Sequence, residues 1–218
     1  MRRRWPLIGL AVVVLGVLAV VGVFVLRGSN EPPPPSLSEA PAGAAPTTGT
    51  TGFRIAGGGS FVGYRVRERF ASIGVVDAVG RTSRVSGTLT VEGDRLVAAD
   101  LRADLRALRS DEEGRDAALG TRGIETDRFP TARFLLTRPV GLREGGATAA
   151  GALTLHGRTW PVEARVRGRV GAEALEVVGS APIPFAAFAI EPPSIAGVVT
   201  VSDRGTLEFR LRARRADD

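Results

Sequence analysis

The stretch Asp100-Leu101-Arg102-Ala103-Asp104-Leu105-Arg106 alternates charged and apolar residues without a break. An extended chain points successive side chains to opposite faces, so Leu101, Ala103 and Leu105 share one apolar face and the charges share a wetted one. The same seven residues wound as a helix would spread their charges around the whole circumference. The segment therefore reads as a half-buried strand.

Working outward, the period of two recurs at Val62, Tyr64 and Val66, and at Val85, Gly87, Leu89 and Val91. It returns at Ala132, Phe134 and Leu136, at Val162, Ala164 and Val166, and at Leu207, Phe209 and Leu211. Fainter strands fill 147–155, 174–181 and 195–201, making about eight after an initial segment at Phe53. The links between them are short and marked by glycine, as in Glu92-Gly93-Asp94, His156-Gly157-Arg158 and Asp203-Arg204-Gly205, which makes sequential strands antiparallel neighbours. One longer connection carries a capping box of Ser110 and Glu113 and a stop at Gly120, which predicts a short helix over Asp111 to Leu119. The pattern predicts an all-β fold with one short helix, either a closed barrel or a two-sheet sandwich. Small residues on the inner face, Gly87, Ala103, Ala132 and Ala164 among them, point to a hollow barrel.

Upstream, every residue from Trp5 to Leu26 is uncharged, and a helix of that length reaches ~33 Å, enough for a ~30 Å hydrocarbon core. Arg2, Arg3 and Arg4 precede it and no small-x-small cleavage site follows closely, so residues 1–27 read as an uncleaved signal anchor with its N-terminus in the cytoplasm. Residues 28–52, with a proline run at 32–35, read as a linker with a reach of at least ~25 Å, and residues 53–218 as the folded domain outside the membrane. The expected location is a bacterial cell membrane, crossed once, with the domain extracytoplasmic.

The 218 residues contain no cysteine and one histidine, and all 29 positive charges are arginine. Thiol catalysis, cysteine metal sites and lysine Schiff bases are excluded. His156 alone makes no metal site, and the acids around the predicted helix sit where a helix N-terminus and nearby arginines already account for them. Arginines on the 165–169 and 210–215 strands lack interleaved aromatics, so no nucleic-acid partner is expected. Nothing here calls for an enzyme, a cofactor or a metal.

Two spaced motifs carry a resemblance. The first is LRSDEEGRDAALGTRGIETDRFPTARFLL (108–136), with Arg115-Asp116 on a short helix followed by Phe129-Pro130. The second is GALTLHGRTWPV (151–162), with His156-Gly157. Together with the strand order they resemble the YceI-like polyisoprenoid-binding family, over about Phe53 to Ala213. The resemblance implies a lipocalin-like antiparallel barrel whose apolar interior holds an isoprenoid-type lipid, and a binding or carrier module in place of a catalyst. Arg115, Asp116, Phe129, Pro130, His156 and Gly157 are then motif residues with structural roles. The candidate lining is Val62, Tyr64, Val66, Leu89, Leu101, Leu105, Phe134, Leu136, Leu153, Phe185 and Phe188, with Tyr64 as a hydrogen-bond partner for a head group. The competing expectation is a filled barrel whose outer face binds another protein.

Overall fold

A computed structural model describes residues 31–38, 49–71, 74–192 and 199–216. Its strands are β1 (Thr50–Ile55), β2 (Phe61–Phe70), β3 (Gly74–Thr82), β4 (Val85–Glu92), β5 (Arg95–Asp104) and β6 (Arg109–Ser110). They continue as β7 (Thr131–Leu136), β8 (Val140–Gly141), β9 (Ala147–Leu155), β10 (Arg158–Val170), β11 (Ala174–Pro184) and β12 (Val199–Arg215). Among the described residues, one helix, α1 (Glu113–Thr121), and two 3-10 turns, Leu105–Ala107 and Phe185–Phe188, accompany these strands.

The strands β1-β4-β5-β7-β9-β10-β11-β12 pair in that order, and β12 returns to β1, closing an antiparallel barrel of 8 strands. Closure leaves the barrel without a free edge, and its inner face is dry: Phe53, Leu89, Val91, Leu175 and Val177 are all at most 3% exposed. The 17 residues of β12 serve two neighbours on one side. Its end pairs β1 through Ile55↔Ala213, and its first part pairs β2 from Val199↔Phe70 to Arg210↔Phe61. Strand β3 adds to β2, and β6 adds to β3, extending the wall toward the end of the barrel capped by α1.

The structure corrects several expectations. The predicted turn at Asp203-Arg204-Gly205 is a bulge inside β12, where the register against β2 shifts between Val201 and Gly205 while pairing with β11 continues through Pro184↔Arg204. The predicted capping box does not form. The helix starts at Glu113, its N-cap Glu112 makes no side-chain cap bond, and Ser110 belongs to β6. Asp116 reaches back instead, accepting from Ser110 N at 2.9 Å and from Ser110 Oγ at 2.7 Å. Strand β3 was not legible from periodicity because Ala78 and Val79 point to opposite faces and both are buried.

Val79 is buried because residues 31–38 lie across the outer wall of the barrel. Arg65 donates to Pro32 O at 2.8 Å, Arg81 to Pro33 O at 2.7 Å and Arg169 to Ser38 O at 2.9 Å, and Arg210 donates to Ser36 O. Polyproline backbone bonds to nothing within itself, so its carbonyls are free to accept these guanidinium protons. This part of the predicted linker is a docked strap. The predicted membrane span at residues 5–26 lies outside the described residues, and among the described residues no helix is long and apolar enough to cross a membrane.

At the far end of the strap, burial raises the Glu176 pKa, but hydrogen bonds from Ser38 Oγ and N and the charge of Arg212 outweigh it. The carboxyl ends below its ordinary value of 4.5. A depressed acid contributes its stabilisation above the unfolded pKa and loses it as pH falls through the folded one. The Ser38 end is therefore expected to stay docked at neutral pH and to detach only below pH 4.5, which amide exchange at residues 36–38 would show. Detachment between pH 5 and 7 would contradict the assignment.

Candidate functional site

Inside the barrel, β5, β7, β9, β10 and β11 contribute alanines where other inward positions carry Val, Leu or Phe. Ala99, Ala103, Ala132, Ala149, Ala164 and Ala181 leave a cavity of about 90 Å³. It is bounded on its other sides by larger residues, including Leu96, Val162, Val166, Val177, Leu207, Phe209 and Leu211. Apart from Arg102 and Arg133, which lie at register partners on β5 and β7, every lining residue is apolar. Arg133 is held by a bidentate pair with Asp100 at 2.9 and 2.7 Å, which keeps one guanidinium at the wall tied to a carboxylate. That space exceeds what a single water needs, so a short hydrocarbon segment fits against the lining. A wider groove of about 630 Å³ lies on the outer wall beside Pro34 and Pro35. Its walls include Arg165, Arg167, Ser180, Thr206 and Glu208, which suits water better than a lipid tail.

Of the eleven lining residues read from the sequence, the structure brings Val62, Leu89, Leu101, Phe134, Leu136 and Leu153 to this cavity. The other five lie elsewhere. Leu105 leaves the strand for the 3-10 turn, where its N–H donates to Pro130 O at 2.7 Å, because the chain bends off the barrel after Asp104. Phe188 is fully buried in a second cluster with Leu153, Val162, Ile183 and Ile190, and Phe185 packs against that cluster. Val66 faces Gly205, and Phe185 approaches the same glycine. These aromatics plug the capped end of the barrel.

Tyr64 is two residues beyond Val62 on the same face of β2, with its ring lying over Gly80. Its hydroxyl is buried and has no hydrogen-bond partner among the described residues. Burial pushes the phenol up to about 12 against the opposing charge of Arg115, with Asp116, Glu68 and Asp111 adding to the rise, so it remains a neutral donor.

The motif residues hold the cap in place. Arg115, 14% exposed, bridges Glu68 on β2 at 3.4 Å and Asp111 at 2.8 Å, fastening α1 to the wall. His156 and Gly157, both at positive φ, form the two-residue turn between β9 and β10. The imidazole Nδ1 is 2.9 Å from Phe188 O and Nε2 is 2.6 Å from Glu125. The Phe188 carbonyl can only accept, so Nδ1 donates to it, and the Glu125 carboxyl meets Nε2. Phe129 stacks edge-on against the same ring at 4.5 Å and lies over Gly157, where a Cβ would come within 2.7 Å of it. Pro130 leads into β7 and supplies the carbonyl that meets Leu105.

His156 thus brackets the loop before β7 to the Phe185–Phe188 turn. His156→Ala removes both bonds and is expected to cost about 2–3 kcal/mol in urea unfolding. An unchanged midpoint would contradict the bracket.

The lining residues missing from the sequence reading belong to faces whose alternation was visible, such as Val162, Ala164 and Val166. No local signal marks Arg102 or Arg133 as wall residues.

The family model described as the YceI-like domain matches residues 53–213. No curated protein matches. Among solved structures, a polyisoprenoid binding domain from Saccharophagus degradans is 19% identical, covers 75% of this chain and 98% of its own, and superposes with a TM-score of 0.56. Burkholderia cenocepacia BcnA is 16% identical, with 68% and 95% covered and a TM-score of 0.53. The Campylobacter jejuni YCEI protein is 14% identical, with 63% and 85% covered and a TM-score of 0.53. At these identities the likeness is one of fold.

Proposed function

Because the chain belongs to the YceI-like family, we propose that it is a non-catalytic binder or carrier of an isoprenoid-type lipid, held inside the barrel and tethered through residues 5–26 to the extracytoplasmic face of a bacterial membrane. The observation that carries this reading is the almost wholly apolar cavity inside the barrel. A hydrocarbon chain is held by area removed from water and needs no polar site along its length. The polyisoprenoid binding domain of the same fold from Saccharophagus degradans supports the ligand class.

At ~0.8 kcal/mol per buried methylene, each methylene taken up by the cavity tightens retention by about fourfold. Tighter or longer binding requires the half-buried Leu101, Phe134 and Leu136 to swing aside. The unpaired Tyr64 hydroxyl is the polar atom offered to a head group that travels toward the capped end.

The small volume of the cavity also favours a second reading, in which the barrel is essentially filled and the domain binds another protein in the envelope. Native mass spectrometry with organic extraction, on the full chain isolated from its own host, separates the two. A co-purifying isoprenoid, quinone or other long chain establishes the carrier. A ligand-free mass, together with no uptake of a short prenyl alcohol, establishes the filled barrel.

A further inference from the structure

The strap sets where the barrel sits. With a free linker, residues 28–52 would let the domain roam at ~25 Å or more from the bilayer. Glu31 is instead pinned to the wall: its carboxylate accepts from Asp77 N at 3.1 Å and pairs with Arg65 at 3.6 Å. Only residues 27–30 then separate the barrel from the proposed span, and five steps of fully extended chain reach roughly 16–18 Å.

The two ends of the barrel lie at different distances from that pin. Asp77 is three residues from the start of β3, or about 10 Å along the strand, from the β2–β3 hairpin at the capped end. In the other direction β12 runs from Thr206, the partner of Arg65, to Arg215, about 30 Å along the strand and more than about 20 Å even at the tilt of barrel strands. The tether reaches a bilayer at the capped end and falls short of one at the other.

The surface at that end suits a lipid face. Val75 is 48% exposed, its register partner Arg69 is exposed, and Arg67 on the same strand is 72% exposed. An exposed apolar side chain beside arginines whose stems can lie along the membrane while their heads meet anionic phosphates is the chemistry of an interfacial contact. Resting on the proposed tether through residues 5–26, we infer that the strap holds the α1-capped end of the barrel against the bilayer, with Arg67 and Arg69 of β2 and Val75 of β3 as the contact surface.

The absence of cysteine makes single labels unique. The full chain would be placed in vesicles of phosphatidylethanolamine and phosphatidylglycerol, with an environment-sensitive dye at Val75→Cys or, at the other end, Glu173→Cys. The dye at position 75 is expected to be at least threefold less quenched by aqueous iodide than the dye at 173. Releasing the strap by replacing residues 31–38 with a Gly-Ser segment of equal length, which removes the Glu31 carboxylate that pairs with Asp77 N and Arg65, should abolish that contrast. Equal quenching in the otherwise unaltered chain, or a contrast that survives strap release, overturns the orientation alone. Failure of the chain to float with the vesicles overturns the tether and the orientation together, and lipid extraction from the same sample reports the carrier reading independently.

Discussion

Ala164→Phe is expected to empty the barrel of lipid while leaving it folded. Ala164 is 3% exposed and lines the cavity from β10. The added ring places six carbons in the space that a lipid segment would take. Overpacking a filled core costs about 1–3 kcal/mol, but a ring entering an existing void should stay at the low end of that range. Extracted lipid per barrel should fall at least tenfold with little change in thermal midpoint. Leu101→Arg or Leu136→Arg should also abolish retention, though a charge driven into this lining destabilises the fold as well, so the phenylalanine is the cleaner test. Full lipid content in folded Ala164→Phe would move the ligand out of this cavity.

Gly87→Ala is expected to cost about 3 kcal/mol or more, enough to leave a marginally stable domain substantially unfolded. Gly87 lies opposite Leu101 in the β4–β5 pair, with φ at +137°. That conformation is open to glycine and strained for any residue with a Cβ. A Cβ there would also come within 2.1 Å of Asp100 O and 2.9 Å of Leu101 Cα, both backbone atoms of a paired strand that cannot yield without opening the ladder. Urea unfolding measures the loss, and a change below about 1 kcal/mol would mean that the strand relaxes at this point.

Much of the fold could be read from the chain because alternation is a local property. At Leu101, Phe134, Leu153, Val162 and Leu207 the next residue but one has the same environment, and each of these positions lines the cavity. Where the reading failed, a distant contact had overridden the local pattern. Leu105 continues the alternation of β5 in sequence, yet Pro130 O captures its backbone and turns it out of the strand. Ala78 and Val79 break the alternation because a proline strap from more than forty residues upstream covers the outer face. Phe185 and Phe188 are apolar enough for a lipid site but close the end of the barrel, pinned there by a histidine from another hairpin.

Residue identities and their spacing are enough to read antiparallel strands with one dry face, the lack of residues for thiol, lysine or iron–sulfur chemistry, and two motifs that mark the family. Those conclusions rest on residue identity and on a period of two, which neighbours in the chain decide. Tertiary structure alone decided that the sheet closes and that six alanines meet to leave about 90 Å³ of empty apolar space. It also decided that the Tyr64 hydroxyl is buried without a hydrogen-bond partner among the described residues, and that part of the linker is bound to the wall. Each of these depends on which strand lies against which, a long-range pairing set by the sum of many weak contacts and by no single stretch of the chain.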